Sequence, residues 1–494
     1  MLNKIKMTVK HSGIYSLGGL LPKLIGYLLL RLYTSELGAS GYGNFAIFDI
    51  SLQIFVAVFL FSLPSAMMRW YIPEQDEEKR KSILFTTFSA ILVTAILLSA
   101  ILVPLRINLS QLFFQSDIYG RAFLILAVNI GLQMLGTYTL TYLRMRQRSL
   151  SYIILAVSKF TLVLALNIYF VAYRHMGIEG ILLSQLAGNA FLFLYTLIFV
   201  VKEFNFKFNG PIFKEMMAYG FPLIFATLSV QLLRLSDKYI IFFMMDSTQT
   251  GIYNMGYKIA SIVNVLVIHS FQLGFLPIAY KMIGQPGAKR FYSKMLTYYV
   301  LVLVMCSLVL VLFSKEMLMF VSPKDPEFMS AMKVIPILAI AFIFEGMRQL
   351  FAISFHIVKK TRYNAWITMV VAVFNVGLSI LLVERFGYIG AAISVAFCVF
   401  LNMFLFYVFS QKVYSVPYEM KKVFTMVALL ILITIFVPFL NELSMVLAII
   451  LKVIILFAYP FLLYLFQFYD PVELQRIKGS VKKWSKPSKW KKKS

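Results

Sequence analysis

Apolar runs of about 20 residues recur from one end of this 494-residue chain to the other, each closed by a short polar loop. At 1.5 Å per residue such a run crosses the ~30 Å hydrocarbon core of a bilayer. Charged residues make up 14% of the chain, and mean hydropathy is +0.82. A soluble protein of this length would need about twice that share of charge to cover its surface. The period-2 alternation of membrane β-strands is absent. The fold class is therefore an all-α polytopic membrane protein. The runs predict 14 transmembrane helices, near 12–33, 43–66, 82–104, 118–140, 150–173, 177–201, 215–245, 251–280, 291–313, 330–356, 363–383, 387–411, 423–440 and 444–468. The first run carries Lys23 and Arg31 and lacks a small-residue cleavage site, so it reads as a spanning helix and not as a removable leader.

Basic residues sort by side. With a cytoplasmic N-terminus, inner loops and tails hold 32 Lys and Arg, against 7 in the outer loops. That asymmetry is the positive-inside pattern, and an even number of spans puts both termini in the cytoplasm. The tail "KGSVKKWSKPSKWKKKS" mixes Lys and Trp as a segment resting on anionic headgroups would, and equally as a solvated tail would. It is no argument for nucleic acid.

Three motif pairs recur at an offset of 210 residues: "SGYGNF" at Ser40 with "TGIYNM" at Thr250, Lys79-Arg80 with Lys289-Arg290, and "GIEG" at Gly177 with "GYIG" at Gly387. The repeat unit holds six spans, so both copies enter the membrane from the same side, related by an axis along its normal. This predicts an N-lobe (1–201), a cytoplasmic linker (202–213), a C-lobe (214–411), two added helices (412–469) and a basic tail (470–494). Two similar bundles around a cleft suit an alternating-access transporter.

Eight basic residues fall inside spans: Lys23, Arg31, Lys159, Arg234, Lys238, Lys258, Arg348 and Lys452. Three acids do: Asp49, Asp237 and Glu345. Each costs at least about 2.5–3.5 kcal/mol at a helix centre. The excess of positive charge predicts a central, water-filled cationic cavity that receives an anion. Arg31, Arg234, Lys238 and Lys258 are the candidate anion ligands. Asp237, Lys159, His269, Glu345 and Arg348 are candidates for the cavity wall or for ion coupling. The bland alternatives are an intrahelical Glu345–Arg348 pair, interhelical hydrogen bonding for Lys159, a satisfied polar side chain for His269, and snorkelling of Lys23 and Lys452 to the interface. Gly220 and Pro222 predict a kink or break, and so a hinge, in the seventh span, and Pro22 offers a weaker counterpart in the first.

No G-x-x-x-x-G-K-[ST] motif is present, so ATP does not drive this chain directly. Four scattered histidines and two distant cysteines suggest no metal site and no cofactor. No catalytic constellation stands in the short loops, which argues against an enzyme. H+ or Na+ coupling stays open, since the few intramembrane acids outline no ion site.

The stretch "SDKYIIFFMMDSTQTGIYNMGYKIASI", with Asp237-Lys238, Gly251, Tyr253 and Lys258, resembles the oligosaccharide flippase (polysaccharide export) family. "ELGASGYGNFAIFD" and "RFGYIGAAISVAF" are similar to that family's helix 1–2 and helix 11–12 connections. The resemblance covers essentially all the spans. It implies the fold of the multidrug/oligosaccharidyl-lipid/polysaccharide exporter superfamily and a place in the bacterial cytoplasmic membrane. It further implies flipping of undecaprenyl-diphosphate-linked oligosaccharides to the outer leaflet, among membrane lipids and alongside polysaccharide polymerase and chain-length machinery. A basic cavity suits a diphosphate, whose oxygens Arg and Lys can clamp. Two rivals share the fold: a peptidoglycan-precursor flippase, with the same anionic handle, and a multidrug/cation antiporter, which would want an acidic cavity. A non-transporting scaffold for glycan assembly would need no charged cavity at all.

Overall fold

The structure is a computed structural model that describes residues 2–358, 360, 362–466 and 468–469, with side chains from Tyr27 onward except 28, 273 and 277. The side chains of Pro22 and Lys23, Lys359 and the basic tail lie outside the described residues. Among the described residues the chain is helical throughout, with no strand: α1 (Leu2–Phe59), α2 (Leu63–Tyr71), α3 (Glu77–Leu102), α4 (Arg106–Phe114), α5 (Gly120–Met145), α6 (Ser149–Asn167), α7 (Gly177–Tyr195), α8 (Gly210–Met244), α9 (Ser247–Ala260), α10 (Ser270–Lys281), α11 (Ala288–Leu312), α12 (Ser314–Val321), α13 (Ile335–Ile357), α14 (Arg362–Val413), α15 (Met420–Glu442) and α16 (Met445–Leu465). π-Helical turns extend α6 and α7 and join α9 to α10 through Asn264–His269. Among the described residues twelve segments are long and apolar enough to cross a membrane. Exposed Ile96, Leu97, Trp366, Phe436 and Phe457 turn large apolar faces outward, where lipid would replace water.

Local chemistry explains the boundaries. Asp76, Asn209 and Asp246 each accept a hydrogen bond from a backbone N–H in the first turn of α3, α8 and α9. Two residues separate α8 from α9, so these helices pack side by side and residues 16 apart in sequence can meet. The 52-residue α14 would measure about 78 Å, more than twice a bilayer core. It is interrupted at Gly387, whose φ of 61° and ψ of −148° suit a residue without Cβ. Gly177, its partner in the 210-residue repeat, also has positive φ, 56°, at the start of α7. The 58-residue α1 is likewise interrupted, at Gly38.

Several expectations change. The second predicted span stops at Phe59, because Phe61 and Ser62 turn left-handed and α2 starts in a new direction. Two segments taken for loops are the short helices α4 and α12, and α2 takes up the end of the second predicted span and the loop after it. The break expected at Gly220–Pro222 is absent: α8 stays helical across it. Gly220 serves close packing instead, since a Cβ there would lie 2.2 Å from the Phe61 carbonyl oxygen.

Buried apolar side chains form two clusters. Among the described residues one gathers side chains mainly from Leu29 to Met216, joined by Leu318, Phe328, Ala331 and Ile335, and the other side chains from Leu233 to Phe468. α9 serves both, with Ile252, Met255 and Ile259 in the first and Tyr253 and Ala260 in the second. At this seam α9 crosses α1 at very short range. A Cβ on Gly43 would stand 1.8 Å from the Ser247 carbonyl oxygen, and one on Gly251 would stand 2.0 Å from that of Ala39. The contact is reciprocal, Ala39 and Gly43 against Ser247 and Gly251, as in small-residue crossings of membrane helices.

Candidate functional site

The seam between the two clusters is where the intramembrane charges collect. Asp237 and Lys238 sit in the last third of α8 and are both buried. The Tyr253 hydroxyl, from the facing turn of α9, donates to the Asp237 carboxylate. The Lys238 ammonium lies 3.7 Å from the centre of the Tyr257 ring, a cation–π contact. It is also within electrostatic reach of Arg234, Asp49 and Lys258.

Two cavities flank this core. The first is lined by Arg234, Tyr257, Glu345, Arg348, Thr368 and Asn402, on an otherwise apolar wall. Arg348 donates two hydrogen bonds to Glu345, of 2.8 and 2.7 Å, and its guanidinium lies over Phe406. Arg234 differs: among the described residues it makes no ion pair or hydrogen bond. The second cavity is framed by α1, α7 and α9, with Tyr27, Tyr33, Asp49, Gln185, Lys258 and Ser261 among its walls. The Lys258 ammonium stands 3.8 Å from Asp49, a loose contact, and Asp49 also accepts from Gln53 at 3.1 Å. Arg234 thus lines one cavity and Lys258 another, where sequence predicted one central cavity.

The structure brings together Arg234, Asp237, Lys238, Lys258, Glu345 and Arg348. It leaves others apart. Arg31 is exposed, its guanidinium 5.2 Å from the centre of the Phe320 ring. Lys159 donates to Asn189 at 2.6 Å, away from α8. His269 ends the π-helical turn and lines neither cavity. Lys452 does not snorkel. It is fully buried and donates to Glu316 at 2.6 Å and to Asn441 at 2.8 Å. Glu316, on α12, is therefore a fourth acid serving the apolar interior.

Asp49, Tyr257 and Gln185 are site residues to which sequence reasoning gave no role. Asp49 had a signal, as one of three acids within spans. Tyr257 and Gln185 had none, since each matters through contacts remote in sequence.

The family described as "Polysaccharide biosynthesis protein" matches residues 8–283. Two relatives from Haemophilus influenzae are similar over the same part. "Lsg locus putative protein 1" is 25% identical over 285 residues, covering 56% of this chain and 67% of the relative. An "Uncharacterized membrane protein" is 23% identical over 287 residues, covering 57% and 67%. Among solved structures, lipid II flippase MurJ in an inward closed conformation superposes with a TM-score of 0.76 at 14% identity, covering 92% of this chain and 99% of MurJ. An inward-facing multidrug resistance MATE family transporter of the MOP superfamily gives 0.65 at 14% identity, covering 78% and 93%. These likenesses establish the fold.

Proposed function

The chain belongs to the polysaccharide biosynthesis protein family, and on that premise we propose that it flips lipid-linked oligosaccharides across a bacterial cytoplasmic membrane for surface polysaccharide assembly. The observation that carries this reading is Arg234. An unpaired guanidinium in the last third of α8 lines a cavity, with Lys238 on α8 and Lys258 on α9 adding positive potential. A membrane helix keeps such a charge in place of an apolar residue only for a partner worth several kcal/mol. A diphosphate is such a partner, because Arg holds its oxygens in bidentate, charge-assisted bonds. The polyprenyl tail can remain in lipid while the head group crosses. The reading makes the protein a transporter and not an enzyme, with both termini cytoplasmic, and leaves H+ or Na+ coupling as an accessory to the cycle.

Dividing α14 at Gly387 makes two crossings of one candidate segment, and this reading takes the part of α1 before Gly38 as a further crossing, for two six-helix lobes and two added helices. In the proposed cycle the diphosphate meets Arg234 and Lys258 from the inner side. Arg31 would have to leave the Phe320 ring to join them. The lobes then rock about the α1–α9 crossing, with α8 flexing near Gly220 and Pro222, where one backbone hydrogen bond is missing. Cationic drugs suit these cavities poorly, since Arg234 and Lys238 stand beside acids already engaged by Arg348, Lys258 and Tyr253.

The test is Arg234→Ala in a deletion strain. Correctly inserted variant protein should restore at least tenfold less surface glycan than wild type, the scale of one lost charged hydrogen bond. The lipid-linked intermediate should accumulate. Normal surface glycan would rule out Arg234 as the diphosphate ligand.

A further inference from the structure

Lys159 lies on α6 among apolar residues, and none of the ion pairs among the described residues includes it. Its partners are amides. The ammonium donates to Asn189 Oδ1 at 2.6 Å, Asn189 Nδ2 donates to Asn129 Oδ1 at 2.6 Å, and Asn129 Nδ2 faces Gln185 Oε1 at 3.4 Å. Asn129 and Asn189 are fully buried. The direction of this chain is forced. An ammonium has only donors, so Asn189 must turn its oxygen to Lys159 and its nitrogen onward. Each amide then fixes the next, and the polarity is reinforced along the row. The row ends at Gln185, which lines the cavity holding Asp49 and Lys258. Its Nε2 has no hydrogen-bond partner among the described residues. The approach of α6 to α7 is built for this contact: a Cβ on Gly188 would lie 2.4 Å from Val163 Cγ2 and 3.3 Å from Lys159 Cγ.

We propose that this cavity is the sugar-reading subsite of the transport site, with Gln185 Nε2 donating to an acceptor oxygen of a sugar next to the diphosphate. The inference rests on the transport reading above. Its chemistry fits a pyranose. Gln185 supplies a donor, Asp49 an acceptor, and Tyr27 and Tyr33 apolar ring surface for the C–H face. Lys159, Asn189 and Asn129 are positioning residues that act through Gln185. The diphosphate would lie past Lys258, on the side of Arg234.

The experiment uses the full chain in lipid nanodiscs and measures affinity for farnesyl diphosphate and for farnesyl diphosphate carrying N-acetylglucosamine or galactose. Wild type should bind at least one sugar-bearing probe about threefold to tenfold more tightly than the sugarless one, the scale of one neutral hydrogen bond. Gln185→Met and Lys159→Met should each abolish that increment while leaving sugarless affinity within about twofold. Lys159→Arg, which keeps a cationic donor, should retain it. A purely structural Lys159 would lower both affinities together. No sugar increment in wild type, or an increment that survives Gln185→Met or Lys159→Met, overturns the subsite and leaves the transport reading standing. Failure of wild type to bind farnesyl diphosphate overturns the transport reading itself.

Discussion

Lys452 and Lys159 are both lysines in the middle of apolar helices, yet their surroundings set them to different work. Lys452 on α16 is met by a carboxylate, Glu316, and by the Asn441 side chain. Its charge is neutralised on the spot, and the pair ties the last helix to α12. Lys159 on α6 is met by amides alone. Amides do not cancel its charge but orient along it, and the effect emerges at Gln185. A buried lysine facing a carboxylate is thus a structural tie. One facing a row of amides can impose direction on a distant pocket.

The contrast can be broken by substitution, with the largest effect at the tie. Glu316→Ala leaves a fully buried ammonium unpaired and should cost about 3–5 kcal/mol. The loss would appear as a clear drop in the melting temperature of detergent-solubilised protein. The double substitution Glu316→Leu with Lys452→Met should recover most of it, because replacing a whole buried pair with apolar side chains is close to neutral. If the double variant is as unstable as the single, the lysine does more than pair.

Lys159→Met should cost less, about 1–3 kcal/mol, the penalty for the Asn189 oxygen it leaves unsatisfied. A loss equal to that at Glu316 would put a hidden carboxylate near Lys159 and erase the distinction.

The smallest effect belongs to a partly buried version of the tie. Glu419 accepts from Lys294 at 2.7 Å and from Thr297 at 2.8 Å at the start of α15. Burial works against its charge, but these bonds outweigh it and hold the carboxyl below its ordinary value of 4.5. A carboxylate with a depressed folded-state pKa stabilises the fold fully above its unfolded value and loses that contribution as pH falls through the folded value. Melting curves should therefore show a Glu419-dependent loss below about pH 4.5, absent in Glu419→Gln. Identical acid profiles for the two proteins would show that the pair contributes nothing.

Much of this molecule was legible in sequence because the bilayer imposes a simple rule: 20 apolar residues make a crossing. Of the pairs spaced by 210 residues, Gly177 and Gly387 share the same sign of φ. Neighbours on one helix could be read from spacing, as Glu345 and Arg348 were. Partners across helices could not. Lys452 meets a residue 136 positions away, on a helix that reads as loop because α12 has only eight residues. Arg31 shares a stripe with Tyr27, yet Tyr27 lines a cavity while Arg31 turns to Phe320. Periodicity gives a face, and only packing says what the face meets.

The most direct test of the central claim is flipping in reconstituted vesicles, using a polyprenyl-diphosphate-linked oligosaccharide with a fluorescent sugar and a membrane-impermeant quencher outside. The account predicts that wild type exposes the inner pool, and that Arg234→Ala with Lys258→Ala slows exposure at least tenfold without loss of inserted protein. Exposure no faster than in protein-free vesicles, or undiminished in the double variant, would contradict it.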